Sequence, residues 1–209
     1  MPIGKTEGPA HAGEWFENRR KASAWVAEAL DHLLPFHWRD DPNFQETPLR
    51  WVKFLQEFNL QYDPETVLGA TFDAPVSNTY DHSMVVQPNI PLRAVCAHHL
   101  LPILGHAHVG YIPEAKVVGL SKLARHVYGV SHVAPSLQEN ICNTVTELMM
   151  KHLKPLGVMC VIAAEHGCMA CRGVEEPGVK TVTSSVKGVF IDKIEAREEF
   201  YRLVNLGNS

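Results

Sequence analysis

The chain has 209 residues, 45% of them hydrophobic and 20% charged, with a formal net charge of −4. That length suits one domain with added helical material, or two small ones, and the apolar fraction is enough for a buried core. The acidic balance excludes general nucleic-acid binding, and no apolar run approaches a membrane span, though a local cationic pocket is still allowed.

The start, Met1-Pro2-Ile3-Gly4-Lys5, has no leader-type apolar stretch, so cytoplasmic residence is expected. Residues 1 to 13 are rich in Gly, Pro and small side chains and read as a flexible tail. Over 14 to 34, Trp15, Phe16, Ala22, Trp25, Val26, Ala29, Leu30 and Leu33 recur at three- and four-residue intervals, which predicts an amphipathic helix closed by Pro35. Thr47 as N-cap and Pro48 as first helical residue predict a second helix to about 58, with Arg50 and Lys53 on one face. These helices make residues 14 to 60 an N-terminal helical region, and 61 to 209 the main domain. Residues 59 to 81 are irregular. Strands are predicted over 83 to 95, interrupted by Pro88 and Pro91, and over 103 to 112. In the latter, His106 and His108 share one face and read as structural or surface groups. A turn follows at 113 to 116. Helices over 121 to 128 (apolar side Leu120, Leu123, Ala124, Val127) and 135 to 153 come next. Strands at 158 to 164 and 181 to 190 follow, then a largely surface helix over 193 to 204. The central order is strand, strand, helix, helix, strand, strand.

Two pieces carry chemistry. Cys96-Ala97-His98-His99 places a thiol and two imidazoles within four residues, and Glu165-His166-Gly167-Cys168 adds another of each. If the fold joins them, Cys96, His99 and Cys168 form a three-ligand zinc set with a fourth position open, the pattern of a catalytic site. His98 and His166 are then left as acids or bases. An extended chain at 165 to 172 would turn His166, Cys168 and Ala170 to one side and Cys171 to the other. A closed structural knuckle, Cys96-x-x-His99 with Cys168-x-x-Cys171, is the rival reading and needs a tight turn at 168 to 171. The remaining cysteines are Cys142 and Cys160. With no export signal, an odd count of five suits thiols and ligands better than disulfides.

These motifs, with Gly110-Tyr111-Ile112-Pro113, Gly119-Leu120-Ser121-Lys122-Leu123-Ala124-Arg125, Gln138-Glu139, Arg172-Gly173-Val174 and Lys180-Thr181-Val182-Thr183-Ser184, closely resemble GTP cyclohydrolase I over roughly 46 to 204. The resemblance implies an α+β T-fold: β-β-α-α-β-β, an antiparallel sheet with helices on one face and an N-terminal helical extension. It also implies a toroidal homodecamer with sites at subunit interfaces. The implied activity is zinc-dependent conversion of GTP to 7,8-dihydroneopterin triphosphate and formate. By matching position, Cys96, His99 and Cys168 would hold zinc, and His98 and His166 would move protons. Ser121 would lie near the ribose, Gln138 and Glu139 would hold the guanine edge, and Lys122, Arg125, Arg172, Arg50 and Lys53 would bind the triphosphate. Ala97 stands where the family usually has Glu, and Cys171 where it usually has a non-ligating residue.

Overall fold

The computed structural model describes residues 12–73 and 83–207, in two compact units, Met1–Leu60 and Gln61–Ser209. Residues 1–11 of the expected tail and 74–81 of the expected irregular stretch lie outside the described residues.

The first unit contains helix α1 (Ala12–Leu33), a 3-10 turn at Trp38–Asp40 and helix α2 (Thr47–Gln56). The helices are tied by Arg19 Nε donating to Gln56 Oε1 at 2.7 Å. Asp31 near the end of α1 accepts from Trp38 Nε1 at 2.9 Å and from two Arg39 nitrogens at 2.8 and 2.7 Å. These bonds pin the 3-10 turn back onto α1. Of the predicted apolar stripe, Trp25 and Leu33 stay 68% and 74% exposed. The start of α2 also shifts by one residue. Glu46 holds the cap position without a side-chain capping bond, and its carboxylate instead pairs with Arg50 one turn on, at 3.1 Å.

The second unit opens with helix α3 (Pro64–Leu68), within the stretch expected to be irregular. Its signal was present: Asp63 accepts from the amides of Glu65 and Thr66, and Pro64 takes the first helical position. Strand β1 (Thr71–Asp73) follows, then β2 (Val85–Val95), β3 (Pro102–Ile112), β4 (Lys116–Val118), α4 (Leu120–His132), α5 (Gln138–Leu153) and β5 (Gly157–His166). Next come a helical turn α6 (Gly167–Ala170), β6 (Lys180–Gly188), a second short turn α7 (Val189–Asp192) and α8 (Ile194–Leu206). β2, β3, β5 and β6 form one antiparallel sheet in that order, while β1 pairs with β4. The order expected for a T-fold is therefore present, with α4 and α5 connecting the middle strands.

Alternation in β3 and β5 divides the sheet into two faces. Ala107, Val109, Cys160 and Ile162 pack with Leu123 and Val145 beneath α4 and α5. Met159 and Val161 point the other way, into a smaller cluster with Phe200 and Val204 of α8. The last helix is thus more than a charged surface element; it closes part of the second face. The β2–β3 register slips between Gln87 and Ile90, where Pro88 has no amide to donate and Asn89 adopts φ 55°. Asn89 N donates to His108 Nδ1 at 3.2 Å, so His108 supports the bulge.

Helix α4 runs four residues past the expected end at 128, through Gly129, which lies against the ring of Tyr62. A Cβ there would fall 2.2 Å from Tyr62 Cδ2. Ala is about 1 kcal/mol the better helix former. Gly129→Ala is nevertheless expected to destabilise by about 1–3 kcal/mol through overpacking, read as a lowered urea midpoint. Leu120, predicted inward, is instead exposed at the start of α4. Helix α5 begins three residues later than expected. Residue 136 is extended and bonds to the loop after β2, with Ser136 N to Val95 O at 2.8 Å and Ala97 N to Ser136 O at 3.1 Å.

Candidate active site

The Cys-x-His-His motif occupies the tight connection between β2 and β3. Cys96 and Leu101 close it through Cys96 N to Leu101 O and Leu100 N to Cys96 O, both 2.9 Å. Leu100 takes a left-handed φ of 53°, a conformation that costs a branched side chain about 1–2 kcal/mol. The turn buries Cys96 and leaves His98 and His99 exposed, their rings edge to face with centroids 6.0 Å apart. His99 Nδ1 lies 3.7 Å from Cys96 Sγ.

The second piece leaves β5 at His166 and enters α6. The chain is therefore not extended from 165 to 172. Cys171 N bonds to Gly167 O at 3.1 Å, closing a helical turn. This supplies the tight turn that a closed knuckle would need, but the exposed Cys171 thiol donates to the Gly167 carbonyl at 2.8 Å. It belongs to neither cluster of potential ligands.

Those clusters share one member. Cys96, His166 and Cys168 offer donor atoms within 4.8 Å of one another, and so do Cys96, His98 and His99. The sequence-derived set Cys96, His99 and Cys168 straddles the two, with Cys96 at the junction. The donors suit a thiophilic divalent ion. On a tetrahedral zinc, a thiolate at about 2.3 Å and an imidazole at about 2.1 Å stand roughly 3.6 Å apart, close to the observed sulfur–nitrogen separation. Burial, and then the neighbouring Cys96 sulfur, push the Cys168 thiol up. A bound cation would oppose that rise at Cys168.

Behind the metal donors, His166 Nε2 meets Gln138 Oε1 at 2.8 Å. Burial pulls His166 below the ordinary imidazole range, while the Glu139 carboxylate opposes that shift from nearby. Gln138 is 1% exposed, and its amide nitrogen donates to Ile162 O, Thr181 O and Thr183 Oγ1 at 3.0–3.1 Å. Its neighbour Glu139 is exposed. Thr181 and Thr183 are members of this site that sequence reading did not single out. Their alternation along β6 toward α5 was the available signal.

The residues expected at the ribose and the triphosphate are less concentrated. Ser121, Lys122 and Arg125 occupy the first two turns of α4, and Arg172 follows α6 close enough to act on the Cys168 sulfur. Arg125 and Arg172 are exposed, and neither forms an ion pair among the described residues. Arg50 and Lys53 are exposed on α2 of the first unit, Arg50 being paired with Glu46.

A family model described as GTP cyclohydrolase I matches residues 29–205. The GTP cyclohydrolase 1 of Pelotomaculum thermopropionicum is 45% identical over 161 residues, covering 76% of this chain and 82% of that protein. The Desulforamulus reducens protein of the same name is 43% identical over 171 residues (79% and 88%). That of Listeria monocytogenes is 43% identical over 162 residues (76% and 82%). A match of this extent, over a chain whose two thiol–imidazole pieces meet at one end of an antiparallel sheet, places the protein in the GTP cyclohydrolase I family.

Proposed function

We propose that the protein converts GTP to 7,8-dihydroneopterin triphosphate and formate, with Cys96, His99 and Cys168 holding zinc. The convergence of two cysteines and three histidines from separate pieces of the chain carries this reading. Zinc, when bound, supplies the Lewis acidity that makes water nucleophilic at neutral pH. The chain supplies the rest. His98 and His166 stand beside the metal donors and carry protons to and from the purine ring as it opens at C8 and formate leaves. Glu139, exposed and close to His166, accepts from guanine N1–H and the 2-amino group, a pair that adenine does not present. Lys122, Arg125 and Arg172 take the triphosphate, joined by Arg50 and Lys53, and Ser121 serves the ribose during the later ring closure. About four negative charges on the ligand would call for several cations on a chain that is acidic overall.

We also infer a homodecamer with sites shared between subunits. The sheet ends in two strands, β2 and β6, each with one side largely without a strand partner among the described residues, which suits continuation of the sheet into neighbouring copies. No helix among the described residues is long and apolar enough to cross a membrane, and all five cysteines are free thiols. Both features agree with a cytoplasmic enzyme.

Zinc-loaded protein incubated anaerobically with GTP is expected to yield pterin absorbance and formate in equal amounts, and ATP neither. Glu139→Ala, by removing two charge-assisted hydrogen bonds, is expected to lower kcat/KM for GTP by about 100-fold or more. Zinc-replete wild-type protein that binds GTP without releasing formate would refute the reading.

A further inference from the structure

We propose that Gln138 is a positioning residue that holds the His166 ring as the Nε2–H tautomer, leaving Nδ1 as the acceptor available to the reaction. The proposal rests on the catalytic reading of His166 given above, and it assigns Gln138 a place behind the imidazole rather than against the guanine.

The argument begins with which end of the carboxamide is which. One terminal atom of Gln138 has the Ile162 carbonyl at 3.1 Å, the Thr181 carbonyl at 3.0 Å and the Thr183 hydroxyl at 3.1 Å. Carbonyl oxygens only accept, so the atom between two of them is the NH2 group, and the amide has a single allowed orientation. The other end is therefore the oxygen, and it lies 2.8 Å from His166 Nε2. An amide oxygen cannot donate. The ring nitrogen facing it must carry the proton, and in the neutral imidazole that leaves Nδ1 bare.

The amide is not free to reverse. Gln138, Cys142 and Thr146 follow one another at four-residue steps along the face of α5 turned to β5 and β6. Cys142 Sγ donates to Cys160 O at 3.3 Å, and Thr146 Oγ1 meets Ser185 Oγ at 2.8 Å. This polar ladder sets the height of α5 on the strand that carries His166. Flipping the carboxamide would set its oxygen against two carbonyls. Withdrawing it would leave the Ile162 and Thr181 carbonyls and the ring nitrogen without the partners that the buried carboxamide gives them. Because Gln138 is enclosed while Glu139 is exposed, the adjacent pair divides its work. One side chain orients the proton carrier from behind, and the other remains free to meet the ligand.

Histidine-selective nitrogen-15 spectra of the zinc-loaded protein test this directly, with the His166 signals assigned by their loss in His166→Gln. A protonated Nε2 and a bare Nδ1 are expected in the wild type. In Gln138→Met the proton is expected to redistribute between the nitrogens. Turnover number should then fall about 100-fold, with KM for GTP and zinc content little changed. Thr183→Val removes one anchor of the amide and should move kcat the same way by a smaller factor. A wild-type ring protonated at Nδ1 overturns the proposal. So does a Gln138→Met protein with raised KM and unchanged kcat, which would place Gln138 on the guanine instead. If Gln138→Met does not fold, the wild-type tautomer and Thr183→Val decide: lowered kcat at constant KM supports the proposal, and unchanged kcat overturns it. Absence of GTP turnover from a wild-type protein showing the Nε2–H ring would defeat the functional reading while leaving this tautomer assignment standing.

Discussion

Cys168→Ser is expected to lose zinc and turnover together, while Cys171→Ser keeps both. The two cysteines flank one helical turn, so a knuckle built on Cys168-x-x-Cys171 would need both sulfurs on the same ion. The geometry separates them. The Cys168 sulfur belongs with Cys96 and His166, whereas the Cys171 thiol is occupied by the Gly167 carbonyl. Replacing a thiolate by a hydroxyl removes a soft ligand that the other donors cannot replace, and the Lewis acidity so lost is worth several kcal/mol. Turnover should therefore drop by more than about 10³-fold. Metal analysis after dialysis, set beside formate release, reads both quantities. Zinc lost from Cys171→Ser would restore the structural-knuckle reading.

Acid is expected to cost the fold about 3 kcal/mol between pH 6.5 and 4 through one side chain, His126. Its ring is fully buried in α4, with Nε2 donating to Val145 O at 2.9 Å and Nδ1 accepting from the Tyr62 hydroxyl. Burial, reinforced by the nearby His152, lowers its pKa from 6.5 to about 4, against a smaller opposing effect of the Val145 carbonyl. An unfolded histidine takes its proton near 6.5 and the folded one only near 4. Across that window the unfolded chain holds more protons. The stabilisation is therefore complete above pH 6.5 and disappears as pH falls toward 4. His108, His132 and His166 are also lowered by burial and add slopes of the same sign. The comparison that isolates His126 is the difference in urea stability between wild type and His126→Gln at pH 7 and pH 4.5. His126→Gln should be weaker at neutral pH but flatter with acid. An identical pH slope in the two proteins would remove His126 from the account. With total stabilities of about 5–15 kcal/mol usual for such proteins, the effect would be large.

Long periodic stretches were legible in the sequence: β3 by its alternation and α5 by its apolar spacing fall close to where pattern alone puts them. What pattern could not supply was tertiary. Pattern alone ends α4 near residue 128, whereas the helix runs on to His132 through Gly129, with the Tyr62 ring against the glycine. Residue 136 looks helical until its amide and carbonyl are found bonded to Val95 and Ala97. Phe200 and Val204 are two apolar positions in a charged helix, and their burial depends on an open sheet face being there to receive them. The site follows the same division. The kinds of donor atom and their two locations could be read from residue identity. The enclosed amide between α5 and β5 could not, because a glutamine next to an acidic residue has the same composition whether it faces a ligand or the core. The turn at 168 to 171 was missed because a single helical hydrogen bond, rather than a glycine or proline, makes it.

The bulge in β2 bears on how the edge of the sheet avoids unwanted pairing. Pro88 and Pro91 remove two amides from a strand with one side open, and the kink at Asn89 interrupts its line of carbonyls. An arbitrary extended peptide laid along this edge would find its donor–acceptor row broken at Pro88 and Pro91 and ended at Val95, whose carbonyl already accepts from Ser136. The β2 edge is thereby a poor template for fibrillar stacking.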